Sequence, residues 1–293
     1  MLRVYVSSAA LVLLIAGCPQ GNDHQAYVDA AHNTCTPGDI CRPAIDACDV
    51  AEMCTSSGSC PTDSFAVGGT ACADGDLCNG AETCNGTGSC VAGTALSCDD
   101  SMTASADACA AATGCVHLGF VDAAPTTQYG NTTGGTAFPD ACPAGQVMVG
   151  FNAQLGASFD QVGVICAPIA LASGTLAVTT GTAVDQPLRG TNPGTPASST
   201  CPAGTMVVGF AGRAGALIDQ LQLRCAAITV TGTPPQASVG TAAAQTAVGG
   251  TGGVAFPDTD CAAGAVAVGA EIRAGGSVDA FGLRCGTPTV TTN

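Results

Sequence analysis

Three stretches of the chain place an aspartate four residues after a glycine: Gly156-Ala-Ser-Phe-Asp160, Gly215-Ala-Leu-Ile-Asp219 and Gly275-Gly-Ser-Val-Asp279. An ionised carboxylate only accepts hydrogen bonds. In a glycine turn it can take them from its own neighbouring backbone, which is the structural use of Asp. It can also take them from a molecule outside the chain, with peptide N–H groups of the loop as donors beside it. Repetition does not separate the two uses, because a structural device recurs in a symmetric fold as readily as a binding one.

The elements that position these aspartates repeat too. Cys142 to Cys166, Cys201 to Cys225 and Cys261 to Cys285 are each 24 positions apart, and Asp160, Asp219 and Asp279 each fall 18 positions after the first Cys of their unit. Three copies with almost constant spacing define a structural repeat. Within a unit, Val147/Val149, Met206/Val208 and Val266/Val268 alternate with other residues before the Gly-rich turn. Val162/Val164/Cys166, Leu221/Leu223/Cys225 and Phe281/Leu283/Cys285 alternate after it. That two-residue period predicts two half-buried strands per unit. In an antiparallel pair the start of the first strand faces the end of the second. The pairing expected is therefore Cys142–Cys166, Cys201–Cys225 and Cys261–Cys285, each loop closure contributing roughly 3–4 kcal/mol in the chain-entropy model. Further short strands fit residues 175–184, 228–231 and 287–291. One unit cannot bury both faces alone, so three should pack about a common axis.

GFAGRAGALIDQLQL, starting at Gly209, resembles the closing motif of jacalin-type lectins, and GGTGGVAFPD, from Gly249 to Asp258, resembles their glycine-rich opening. Gly134-Gly135-Thr-Ala-Phe-Pro-Asp140 is a shorter version. The Cys-Pro-x-Gly…Gly-Phe…Cys frame is also similar to vitelline membrane outer layer protein. Both resemblances imply an all-β fold, a threefold pseudosymmetric β-prism. A β-trefoil is the alternative threefold architecture. In sugar-binding jacalin relatives a Gly-x-x-x-Asp loop grips adjacent sugar hydroxyls. The resemblance thus implies carbohydrate contacts at Gly156, Asp160, Gly215, Asp219, Gly275 and Asp279. The partnering Gly-Gly element precedes units one and three, and Gly190-Thr-Asn-Pro stands before unit two, so unit two is the expected exception. The loops hold no Trp or Tyr to stack on a sugar; Phe159 is the nearest ring.

The rest of the chain has different physics. The 293 residues carry 22 acidic and seven basic side chains, all seven Arg, for a net charge of −15. That balance excludes nucleic acid as a partner, since a basic surface is needed to displace counterions. Only nine of the 22 acidic residues lie from residue 118 onward, so the front of the chain is the acidic part. Twelve of the 19 Cys lie between Cys35 and Cys115, with a recurring five-residue gap and little apolar material between them. Disulfides must replace a core there. The gap is not the two-to-four-residue spacing of zinc sites. CRPAIDACDVAEMCTSSGSCPTDSF, from Cys41, resembles the second half of a disintegrin domain, and CADGDLCNGAETCNGTGSC, from Cys72, resembles a degenerate second copy. Ala44-Ile-Asp-Ala47 replaces the integrin-binding loop, so the resemblance implies a stapled stalk. Asp74, Asp76 and Asn79 are oxygen ligands that could hold calcium, and a solvated turn is the competing use.

The chain opens with Arg3, an apolar run from Val4 to Ala16, and Leu14-Ile-Ala-Gly-Cys18. The run has signal-peptide length, and its end resembles a bacterial lipobox, with Cys18 as the lipidated residue. Acyl chains add about 0.8 kcal/mol per buried methylene to membrane attachment. The expected organisation is a signal peptide over 1–17, a tether over 18–34, a disulfide-rich disintegrin-like stalk over 35–117 and a three-repeat β-prism over 118–293. His24, His32 and His117 all lie outside the repeats, and no nucleophile elbow, phosphate loop or zinc-binding His pair occurs. The reading is a non-enzymatic, lipid-anchored protein of the bacterial cell envelope or surface, without cofactor or metal. Its partners would be glycans, in adhesion or recognition. The alternative is a structural envelope or matrix protein that engages protein partners and no sugar.

Overall fold

The computed structural model describes residues 35–292, so the expected signal segment, the tether and Cys18 lie outside the described residues. All regular structure described is β-strand, without a helix.

Three antiparallel hairpins make the frame. Gln146–Leu155 pairs with Phe159–Leu171, Met206–Ala214 with Ile218–Ala226, and Val266–Ala274 with Val278–Thr292. The second trailing strand keeps the alternation read from sequence: Ile218, Leu221, Leu223 and Cys225 are buried while Asp219, Gln220, Gln222 and Arg224 are not. In the first and third, Val162 to Ala167 and Ala280 to Leu283 are buried without interruption. The leading strands also depart from the alternation. Val147 to Phe151 and Met206 to Ala211 are buried without interruption. A β-bulge explains this. Val149, Val208 and Val268 are each an extra residue in the register, which shifts the side-chain phase, and Val147 and Val149 enter a second core.

Each hairpin takes an edge strand from the chain that leads into the following unit. Thr195–Thr200 pairs with the first hairpin and Val254–Asp260 with the second, and Thr136–Ala141 closes the circle on the third. Short strands at Val184–Asp185, Ala243–Ala244 with Val248–Gly249, and Tyr129–Gly130 line the trailing side. Three sheets result, each with the same strand order. Their leading strands touch one another pairwise, around a core of Phe151, Phe159, Phe210, Leu221, Phe281 and Leu283. This is a three-sided prism. The sheets stay separate, so the trefoil that threefold symmetry also allows is not formed.

The repeat disulfides sit on the seams. Cys142 bonds Cys166, Cys201 bonds Cys225 and Cys261 bonds Cys285. The N–H of Cys142 donates to Val268, that of Cys201 to Val149 and that of Cys261 to Val208, each at 2.8 Å. Each first Cys thus ends a strand of one sheet while its sulfur holds the next. The bulged carbonyl is what receives it.

The third sheet runs further than the others. Val278–Thr292 continues past Cys285 and pairs with Gly114–Ala123, which pairs with Ala106–Ala110. The expected division at 117/118 therefore falls inside one strand. Val116 and Leu118 join Val147, Met206 and Val266 in the second core, at the end of the prism away from the Gly-x-x-x-Asp turns. Ahead of this strap, six disulfides hold short strands: Cys35–Cys54, Cys41–Cys60, Cys48–Cys84, Cys72–Cys90, Cys78–Cys109 and Cys98–Cys115. The last two fasten the front region to the strap hairpin. Arg42 is bonded to both Glu52 and Asp63 at 3.1 Å, and Glu52 also accepts from the backbone and hydroxyl of Ser64. Arg42, Glu52, Asp63 and Ser64, all within the disintegrin-like stretch, thus form one internal network.

Candidate functional site: the turn rim

The register places the three aspartates. Leu155 pairs with Phe159 and Gln154 with Gln161, which leaves Asp160 as an unpaired extra residue; Asp219 and Asp279 stand in the same relation to their hairpins. A bulge turns its side chain out of the ladder. Each tight turn is closed by the glycine N–H, from Gly156 to Ser158, Gly215 to Leu217 and Gly275 to Ser277, at 2.9–3.0 Å. The glycines of the three expected sites therefore shape the turn, and the half-buried carboxylates are free to face elsewhere.

What they face follows from the borrowed edge strands. Asp279 of unit three lies against Gly134 and Gly135, and Asp219 of unit two lies against Gly252 and Gly253, so closely that a Cβ on any of these glycines would collide with the carboxylate. Gly135 and Gly253 have φ of 51° and 58°, the left-handed region that favours glycine. The Gly-Gly element before a unit thus serves the unit behind it. The expectation that unit two lacks its partner is corrected: Gly252-Gly253 supplies it, and unit one is the exception.

In unit one the place is taken. The Ser277 hydroxyl donates to Asp160 at 3.0 Å, and Asn192 Nδ2 donates to Ser277 Oγ at 3.0 Å. The N–H groups of Thr191 and Asn192 both donate to Gly276. The third turn leans across the rim onto the first. The carboxylates of Asp219 and Asp279 accept no hydrogen bond among the described residues, so two of the three are open acceptors.

An arginine clamps each Gly-Gly loop. Arg213 donates to the carbonyls of Thr251, Gly252 and Gly253, and Arg273 to those of Gly134 and Gly135, at 2.7–3.1 Å. Five fixed donors per guanidinium suit it to holding several carbonyls at once. Sequence reasoning missed these residues. The signal was present: Arg stands 12 positions after the first Cys in units two and three, and Gln154 stands there in unit one.

The stretch weighed for calcium is held by its own hydrogen bonds. Asp74 accepts from the N–H of Asp76 and from Asn79 Nδ2, and Asp76 accepts from the N–H of Cys78. Asn79 Nδ2 donates to Asp74 at 3.1 Å and to Glu82 at 2.6 Å, and Asn79 Oδ1 is buried without a donor. The backbone bond from Asp76 leads the effects that hold the Asp74 carboxyl below its ordinary value. His117 lies in the strap, its Nδ1 2.8 Å from Asp107 and 3.5 Å from Asp100.

No protein-family model and no curated protein matches the chain. Solved structures do. A Malaysian banana lectin aligns over 60% of this chain and 100% of its own, at 15% identity and a TM-score of 0.37. A mannose-specific jacalin-related lectin from Morus nigra, solved in complex with mannose, aligns over 57% and 94%, at 17% identity and a TM-score of 0.37. A mannose-binding jacalin-related lectin from Ananas comosus aligns over 58% and 98%, at 17% identity and a TM-score of 0.35.

Proposed function

We propose that the protein binds carbohydrate at two sites on one rim of the prism, with Asp219 and Asp279 as the acceptors. The observation that carries this reading is the state of those two carboxylates. Each is half-buried, turned out by a bulge and packed on a clamped Gly-Gly backbone, and accepts no hydrogen bond among the described residues. A preorganised acceptor beside peptide groups suits a pair of adjacent hydroxyls, and preorganisation lowers the cost of binding. The net charge of −15 favours uncharged sugars over acidic ones. Two shallow sites on one rim gain by avidity on a polyvalent surface. On this reading the cysteine-rich front region presents the prism, and lipidation at Cys18 would hold it at a bacterial surface for adhesion or recognition.

The structural reading is favoured for unit one only, where Asp160 is already bonded. A glycan array on the oxidised full chain tests the proposal. Asp219→Ala with Asp279→Ala should abolish the signal while Asp160→Ala retains part of it. Absence of any signal from the wild type refutes the carbohydrate reading.

A further inference from the structure

The strap hairpin, away from the turn rim, has two unlike faces. Ala106, Ala108, Ala110, Val116 and Leu118 belong to the second core. Strand alternation therefore puts Asp107, Cys109, Cys115 and His117 on the other face. Asp107 stands directly opposite His117 in the register, and Cys109 opposite Cys115. Cys109 bonds Cys78 and Cys115 bonds Cys98, so the front region is fastened onto this face. Asp100, two residues after Cys98, is carried to the same place. His117 Nδ1 lies 2.8 Å from Asp107 Oδ1 and 3.5 Å from Asp100 Oδ2, and one atom from each of the three side chains lies within 4.8 Å of the others. The histidine is 8% exposed.

Two carboxylates against one imidazole leave negative charge in excess. A protonated ring cancels one of the two charges, and a neutral ring cancels none. Like charges held this close disfavour one another unless a cation sits between them. The chain supplies no side-chain cation for the purpose. It has no Lys. Arg42, Arg189, Arg224 and Arg284 are paired with other carboxylates, and Arg213 and Arg273 hold carbonyls of the rim loops. Each aspartate is also braced through its remaining oxygen. Asp100 Oδ1 accepts from the N–H of Met102 at 2.8 Å, and Asp107 Oδ2 accepts from the N–H of Asp100 at 3.4 Å. One oxygen of each thus orients the other toward Nδ1, as outer hydrogen bonds orient metal ligands. A tetrahedral zinc site, with bonds near 2.1 Å, spaces its ligand atoms about 3.4 Å apart. The two separations from Nδ1 bracket that spacing. A set of one imidazole nitrogen and two carboxylate oxygens suits zinc better than calcium or magnesium, which prefer oxygen alone.

We propose that Asp100, Asp107 and His117 bind one zinc ion, which clamps the front region onto the strap. The site is independent of the turn rim and of sugar binding. Calorimetry with zinc chloride on the oxidised full chain tests it, with calcium chloride as the control ion. Zinc should bind at a single site, at least tenfold more tightly than calcium, and should raise Tm by binding the folded state. His117→Gln should abolish the site. Asp100 lies outside every strand, so Asp100→Asn keeps the test open if His117→Gln fails to fold. It should weaken zinc binding at least tenfold and remove the rise in Tm. His24→Gln with His32→Gln, in the expected tether, should leave both unchanged. A wild type that binds no zinc holds only an ion pair between His117 and Asp107, and that result overturns the proposal. Zinc binding that survives Asp100→Asn at full strength, or that calcium matches, overturns it as well.

Discussion

Ser277 of the third unit donates its hydroxyl to Asp160 of the first at 3.0 Å, across 117 residues of sequence. The bond makes Asp160 a support for the neighbouring turn. Asp279, four residues after Gly275 in that same turn, depends on how the turn is held.

Asp160→Ala should accordingly act at a distance. It should weaken glycan binding at the Asp279 site several-fold, leave the Asp219 site unchanged, and cost about 1 kcal/mol of stability for the lost bond. Comparing the single change in Asp219→Ala and Asp279→Ala backgrounds reads the two sites separately. Equal effects in both backgrounds would contradict the coupling.

Gly253→Ala and Gly135→Ala should each disable one site. The left-handed φ costs a non-glycine residue about 1 kcal/mol, and the added Cβ collides with the Asp219 or Asp279 carboxylate and with the backbone of Ala214 or Ala274. Binding at the affected site should fall more than tenfold, with a Tm loss of a few degrees. Gly264→Ala, at φ 81° with open space around it, is the control: strain alone, without loss of binding.

Removing the seam disulfide Cys201–Cys225 with paired Ser substitutions should cost about 3 kcal/mol, as expected for a loop of 24 positions. Denaturant melts check this. The Tm should fall as well, because the seam joins two sheets of the core.

Acid should loosen the front region through Glu52. Burial by itself pushes its carboxyl up, but bonds from Ser64 and Arg42 more than reverse this and hold it below its ordinary value near 4.5. A lowered value means that the folded state favours the ionised form. The associated stability is present above the ordinary value and is lost as pH falls through the lowered one. Urea melts between pH 6 and pH 2.5 should show a smaller pH dependence in Glu52→Gln than in the wild type.

What could be read in the sequence was what neighbouring residues decide. The hairpins showed themselves because Leu221, Leu223 and Cys225 alternate within one strand and the turn between them is short. The unbroken burial of Val147 to Phe151 did not, since it needs both the bulge at Val149 and a strap that arrives from residues 106–123. The assignment of Gly-Gly elements went to the wrong unit for a related reason. Adjacency along the chain favours Gly252-Gly253 with Asp279, whereas the edge strand carries them to Asp219. Ser277 on Asp160 left no trace in spacing, because nothing but the closed ring of sheets brings them together.

The closing strand Thr136–Ala141 has an implication for synthesis. Its pairing partner, Val266–Ala274, emerges from the ribosome more than a hundred residues later. The first two sheets can be completed as soon as their following linkers appear, but this strand must wait, its edge uncovered, until the chain is nearly finished. A nascent molecule is therefore most exposed to pairing with a second copy during that interval, and slow translation of the last 60 residues should raise the yield of strand-exchanged dimers.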